Sequence, residues 1–209
     1  MMLRRSFLGF LALGLVAGAT MQVFAQGATT PMQPITALNA GLIQIMNAGK
    51  AQPFAQRMAI LTPIVQQGFD LAVLLQNSVG PARWATISDA QKTELMNIFT
   101  QFTVASYVAN FDSFSGEKFV IAPETRLSGK DTVVQTRILG SGGETTRLDY
   151  VMRENAGAWH VVDVLLDGSI SRVAVTRSDF RSFLSQSDAS PLIASLRGKV
   201  ANLAVGAAS

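Results

Sequence analysis

Between residues 35 and 110 the apolar side chains recur every three or four positions, and after Gly116 the pattern changes to alternation with a period of two. The first spacing gathers Leu38, Leu42, Ile45 and Met46, then Phe54, Met58 and Leu61, then Ile64, Val65, Phe69, Ala72, Val73 and Leu75, each set falling on one face of a helix. Pro53 and Pro63 are expected to divide this region into short helices, because proline lacks an amide hydrogen and crowds the preceding turn. Residues 86–111 predict the longest helix: Ser88 with Gln91 three positions on reads as a capping box, and Leu95, Ile98, Phe99, Phe102, Ala105 and Val108 form one stripe. The stretches GEKFVIAPE, DTVVQTRIL, TTRLDYVMRE and AWHVVDVLLD then read as antiparallel strands of a meander, with GSGG and NAGA as hairpin turns. Beyond Asp167 and Gly168, Thr176 with Asp179 predicts the cap of a helix reaching Leu184, and PLIASLRGKVANL predicts one more. Helices, then strands, then helices make an α+β fold in which N-terminal helices cover an antiparallel sheet.

Alternation also assigns faces. Leu148, Tyr150 and Met152 share one side of their strand, while Arg147, Asp149 and Arg153 share the other, so the first set is expected to point inward. On residues 159–166 one face carries Trp159, Val161, Asp163 and Leu165, and the other His160, Val162, Val164 and Leu166. Val162 and Val164 are therefore expected to look inward beside Leu148 and Tyr150, with His160 nearer an end. Asp163 is expected on the outer side, covered and hydrogen-bonded by the crossing to the next helix, and pointing away from His160.

The first 25 residues change the picture of where the chain works. Arg4 and Arg5 precede an apolar run from Phe7 to Val16, and Val23, Phe24 and Ala25 supply small-residue cleavage chemistry, which reads as a bacterial export signal cut after Ala25. The run is shorter than the roughly 20 residues of a membrane span, and the Arg pair fits either a general or a twin-arginine route, both ending in the periplasm. The expected organisation is a signal over 1–25, a loose linker over 26–34, a single domain over 35–204 and a tail over 205–209. Loss of the leader lowers Lys+Arg from 17 to 15 against 14 Asp+Glu, so the basic balance belongs mostly to the leader and the remaining cations are scattered. Nucleic-acid binding, which needs a clustered basic face, is set aside. A hydrophobic share of 48% supports a core, and with no cysteine that core must hold the fold without disulfides.

The same inventory narrows the chemistry. One histidine, no cysteine and no Asp-rich loop leave no ligand cluster for zinc or calcium, and no Gly-x-Ser-x-Gly elbow is present. SGGE lacks the Lys-Ser/Thr of a phosphate loop and is flanked by strands. Asp163 and Asp167 lie roughly 13 Å apart along an extended strand, too far for a paired-carboxylate site. What remains is an excess of Phe and Met, Phe69, Phe99, Phe102, Phe111 and Phe114 with Met46, Met58, Met96 and Met152, which suits a core or an apolar pocket equally.

The order of these features resembles the MlaC family of periplasmic lipid-binding proteins, also called toluene-tolerance auxiliary proteins. The resemblance lies on Phe69-Asp70, Trp84, Gln91, Phe99 and Tyr107 in the helical half. In the second half it lies on VVQTRI, RLDYVMRE and WHVVDVLLDGSISRVAVTRSDF, with Trp159, Asp163, Gly168, Ser171, Arg177 and Phe180 at marked positions. The run SRVAVTRSDF departs from the apolar-Asn-Tyr-Arg run of many members and is similar to members associated with hopanoid biosynthesis. The resemblance implies a cone-shaped fold like that of nuclear transport factor 2 (NTF2-like), with helices over a curved antiparallel sheet and acyl chains between them. It implies a monomeric shuttle without cofactor that carries a phospholipid or hopanoid between an inner-membrane ABC transporter complex and an outer-membrane lipoprotein or porin partner. Phe69, Val73, Phe99, Phe102, Val134, Leu148, Tyr150, Met152, Val162 and Val164 are the expected lipid contacts. Two competing readings are a small enzyme on a similar cone, using Tyr150, Asp163 or His160 as acid or base, and a structural envelope protein with a closed core.

Overall fold

The computed structural model describes residues 30–184 and 187–206. The expected export signal and its cleavage site lie outside the described residues. Helix α1, Gln33–Ala48, opens with Pro34 in its first turn, where the missing amide costs nothing, and buries Ile35, Leu38, Leu42, Ile45 and Met46. A short 3₁₀ turn leads to α2, Phe54–Gly68, which follows Pro53.

Pro63 does not break the chain, contrary to the expectation: it lies inside α2. The helix survives because Pro63 and Ala59, whose carbonyl loses its amide partner, are both on the exposed side, while Leu61 and Val65 keep the buried stripe continuous. The interruption comes later. Phe69 leaves the helix, pairs as an isolated parallel bridge with Val161, and Asp70 N–H donates to the Val161 carbonyl at 3.0 Å. Asp70 then caps α3, Leu71–Val79, by accepting from Val73 N–H at 3.0 Å. The predicted helical stripe from Ile64 to Leu75 is thus two helices joined by two residues, Phe69 and Asp70.

Helix α4, Pro81–Thr86, precedes α5, Asp89–Asn110, the longest helix among the described residues. Ser88 caps α5 as expected, accepting from Gln91 N–H at 3.3 Å. The reciprocal half of the capping box is absent: Gln91 Nε2 instead donates to Asp188 Oδ1 at 2.7 Å and Ser190 Oγ at 3.1 Å, tying the start of α5 to the start of the last helix.

The sheet is an antiparallel meander in chain order: β1 Lys118–Ser128, β2 Asp131–Leu139, β3 Thr145–Asn155, β4 Ala158–Leu166 and the two-residue β5, Ile170–Ser171. Ala156 and Gly157, with φ of 51° and 80°, make the tight β3–β4 turn. Asp167 and Gly168, at 52° and 75°, make the β4–β5 turn, folding back the short strand that the sequence pattern did not reveal. Helix α6 is Arg172–Phe180 and α7 is Ser190–Gly206. The cap of α6 is Ser171, which accepts from Ala174 N–H at 3.0 Å, so the expected cap at Thr176 is wrong and Thr176 lies inside the helix. Ser171 wins because it is fixed on β5 and held by Asp163, a tertiary constraint that local spacing does not carry.

The α+β class expected from the pattern holds, and the helices stack on the inner sheet face around Val134, Tyr150, Met152 and Val161. On the opposite face Arg147 makes a bidentate pair with the buried Asp149 at 3.0 and 2.7 Å, and Arg153 does the same with Asp131 at 2.7 Å on both arms. Among the described residues no helix is long and apolar enough to cross a membrane.

Candidate functional site

Between α3, α5, α6 and strands β2 to β4 the packing leaves a cavity of about 830 Å³. Its making is visible in α5. Phe99, Phe102, Thr103, Ser106, Tyr107 and Asn110 all face it at helical spacing. Thr103 Oγ1 donates to the Phe99 carbonyl at 2.8 Å and Ser106 Oγ to the Phe102 carbonyl at 2.7 Å. Their hydroxyls are thereby satisfied within the helix, and two small side chains stand where a closed core would carry large ones.

Aromatic rings prop the space. Phe69 meets Tyr107 edge-on at 5.9 Å between centroids, Tyr107 stacks on Phe111 at 6.3 Å, and Phe111 meets Phe119 of β1 at 5.9 Å. From the sheet come Ile138, Leu148, Val164 and Leu166, and from α6 Arg172, Val173 and Thr176. Asp112, Ser113, Glu117 and Glu144 make one polar margin, so the lining runs from an aromatic and aliphatic interior to a charged edge. Such a gradient suits a ligand with apolar and polar ends.

Of the ten side chains expected to meet lipid, Phe69, Phe99, Phe102, Leu148 and Val164 line the cavity. Val134, Tyr150 and Met152 are buried in the core beside it, and Val73 on α3 does not reach it. Val162 fails for an instructive reason. The β3–β4 register pairs Tyr150 with Val164 and Val151 with Asp163, but then Met152 with Val161, leaving Val162 as the extra residue of a bulge. Parity therefore reverses along β4: Val164 and Leu166 look into the cavity, whereas beyond the bulge it is Val161 that enters the core. The same shift removes the expected opposition of His160 and Asp163, which stand opposite Arg153 and Val151, and Asp163, expected on the outer side, instead reaches the cavity lining.

His160 and Asp163 do not assemble an acid–base pair, since Asp163 reaches the cavity lining and His160 does not. Asp163 accepts from Ser171 Oγ, from Val164 N–H at 2.8 Å and from Val173 N–H at 3.1 Å, fastening α6 to β4 at the cavity edge. This is the covering and hydrogen bonding by the crossing that the sequence led us to expect. Tyr150 and Tyr107 are hydrogen-bonded to each other. Burial pushes the Tyr150 hydroxyl up to about 12 and holds that of Tyr107 well above the ordinary tyrosine range, with Tyr150 adding to it and Arg172 opposing. Tyr107 keeps some accessible surface, but that surface faces the cavity, so both phenols stay protonated at neutral pH. Among the described residues no group of His, Cys, Asp and Glu is arranged to hold a metal ion.

Met46, Leu74, Thr103, Ser106, Ile138, Leu166, Val173 and Thr176 belong to the lining and were not foreseen as such. For α5 the signal was available: hydroxyl residues at 103 and 106 interrupt an otherwise apolar stripe facing the sheet. For β2, β4 and α6 no local signal distinguishes lining from core.

A protein-family model described as MlaC protein matches residues 37–198. Among solved structures the chain is similar to a phospholipid-binding protein from Ralstonia solanacearum, determined in complex with a phospholipid, at 17% identity and a TM-score of 0.71, over 84% of this chain and 99% of that one. At that identity the likeness speaks for the fold. No curated protein matches.

Proposed function

The chain belongs to the MlaC family, and on that premise we propose that it is a periplasmic lipid carrier whose cavity receives the acyl chains of a phospholipid while the headgroup stays at the charged edge. The observation that carries this reading is the cavity itself, about 830 Å³ walled by Phe69, Phe99, Phe102, Leu148 and Val164. That volume is in the range of about 300–1,000 Å³ usual for small-molecule sites. The phospholipid held by the Ralstonia protein of the same fold supports the choice of cargo.

Each methylene exposed to water costs about 0.8 kcal/mol, so two acyl chains crossing an aqueous compartment unprotected would cost roughly 20 kcal/mol. A carrier has only to match the membrane, which an apolar cavity does without any chemical step. Ser, Thr and Tyr hydroxyls bonded within the protein keep such a cavity apolar. The export signal read over residues 1–25 would deliver the protein to the periplasm. In that compartment we infer traffic between an inner-membrane ABC transporter complex and an outer-membrane lipoprotein or porin partner. Asp163 is taken up by three hydrogen bonds within the fold and Tyr150 keeps its proton to about 12, so the enzyme reading is not favoured.

Mass spectrometry of an organic extract of the natively purified protein tests the reading. A phospholipid near one per chain is expected, and a hopanoid in its place would redirect the cargo. Protein that is empty as isolated and takes up no lipid from vesicles would refute it.

A further inference from the structure

We propose that a second concavity, the groove lined by Arg83, Arg177 and Arg181, binds a phosphate oxyanion, as presented by an acidic phospholipid headgroup at a membrane surface or by free phosphate. The groove measures about 280 Å³, and residues 79–82 complete its wall. It is separate from the cavity but shares two helices with it. On α6 Thr176 faces the cavity and Arg177 the groove; on α3 Ser78 faces the cavity and Val79 the groove.

Three arginines line the groove with no carboxylate beside them in its wall, and among the described residues none of the three forms an ion pair. Two are held in place by the main chain: Arg177 Nε donates to the Asn77 carbonyl at 2.7 Å, and Arg83 Nη1 to the Arg181 carbonyl at 3.4 Å. A guanidinium has five N–H donors, so each keeps several for a ligand while its orientation is already set. Like charges gathered in a concave wall raise the local potential for an anion, and planar forks match the oxygens of a phosphate. Arg147, Arg153 and Arg197, by contrast, are each paired with an acid. Anion binding would also place a contact against the outer side of α6, whose inner side walls the cavity.

The test uses vesicles of equal parts phosphatidylglycerol and phosphatidylcholine, vesicles of phosphatidylcholine alone, and inorganic phosphate, at low ionic strength. The protein should sediment with the first vesicles and not the second. A basic residue near an anionic surface contributes about 1 kcal/mol, about fivefold. The Arg83→Gln/Arg181→Gln variant should therefore bind at least tenfold more weakly. The charge-matched Arg126→Gln/Arg137→Gln variant, on exposed positions of the sheet, should change less than threefold. Arg181→Gln alone, whose side chain makes no hydrogen bond among the described residues, keeps the test open if the double variant is unstable. Inorganic phosphate that releases the wild type from vesicles, and raises the melting temperature of wild type but not of the groove variant, assigns the site to phosphate from either source. Groove-dependent vesicle binding indifferent to free phosphate restricts it to headgroups. Equal weakening by both double variants, or binding of neither vesicles nor phosphate, overturns the proposal. Extracted lipid should be unchanged in the groove variants, so the result is read independently of the cavity.

Discussion

Helices α1 and α2 meet each other without leaving space, whereas α5 meets the sheet across a cavity, although both contacts are built from apolar helical stripes. At the first, Gly41 lets the axes close so far that a Cβ there would stand 2.5 Å from Ile64 Cδ1 and 2.9 Å from Leu61 Cδ2. At the second, Thr103 and Ser106 are equally modest in size, yet nothing moves in to fill the room. The difference lies in what holds the partners. Leu61 and Ile64 reach into the gap that Gly41 leaves, while the sheet is kept at its distance by the Phe69–Val161 bridge and by the rings from Phe69 through Tyr107 and Phe111 to Phe119. A small residue closes an interface when its neighbour is free to follow, and opens a cavity when struts prevent it.

The largest expected effect comes from placing charge in the open region. Val164→Asp puts a carboxylate among Phe102, Leu148 and Leu166, where an unpaired charge costs several kcal/mol or draws in water. Lipid content should fall to background in a protein that still melts cooperatively; normal lipid content would show that the cavity is not the site. Gly41→Leu tests the closed region, and overpacking there should cost about 1–3 kcal/mol in a denaturant titration while lipid still copurifies. Unchanged stability would mean that α1 and α2 are not held as described. Asp163→Asn weakens the fastening of α6, and loss of charged acceptance from Ser171 and Val173 should lower stability by about 1–3 kcal/mol with lipid retained. Filling the open region should act in the opposite sense: Thr103→Leu should stabilise lipid-free protein by about 1 kcal/mol and lower lipid content.

The smallest effect lies on the outer sheet face. The hydrogen bond from Arg153 holds the Asp131 carboxyl below the usual aspartate value, so the pair contributes stability above about pH 4 that fades as pH falls through the lowered folded value. Asp131→Asn should flatten the acid limb of a melting-temperature profile slightly and leave lipid content alone.

The period of the apolar pattern was enough to read α1, α5, α7 and the four long strands, because those features are local, whereas the division between α2 and α3 and the start of α6 were misplaced and α4 was not foreseen. Ser88 as the cap of α5 was legible for the same reason, while the destination of the Gln91 side chain, Asp188 nearly a hundred residues on, was not. Leu148 and Val164 followed from face assignment, whereas Phe99 and Phe102, which spacing left open between core and pocket, were expected as lipid contacts only with the family resemblance. Val162 was misplaced since a bulge is a property of pairing between strands, and one extra residue exchanges every face beyond it. Pro63 was misread because its tolerance depends on which side of α2 meets solvent. The cavity as a volume was invisible: whether Met46 or Val173 lines it or fills a core is decided by the distance between layers, which no spacing along the chain records.

The central claim, that acyl chains occupy the space between α5 and the sheet, is tested most directly by loading the protein with a phospholipid bearing a diazirine near the end of one chain and mapping the crosslinks after irradiation. Crosslinks between Phe99 and Phe111, along α5 and its C-cap, and on β3 and β4 at Leu148 and Val164 are the predicted result. Crosslinks confined to exposed apolar side chains such as Leu127 or Val205 would contradict it.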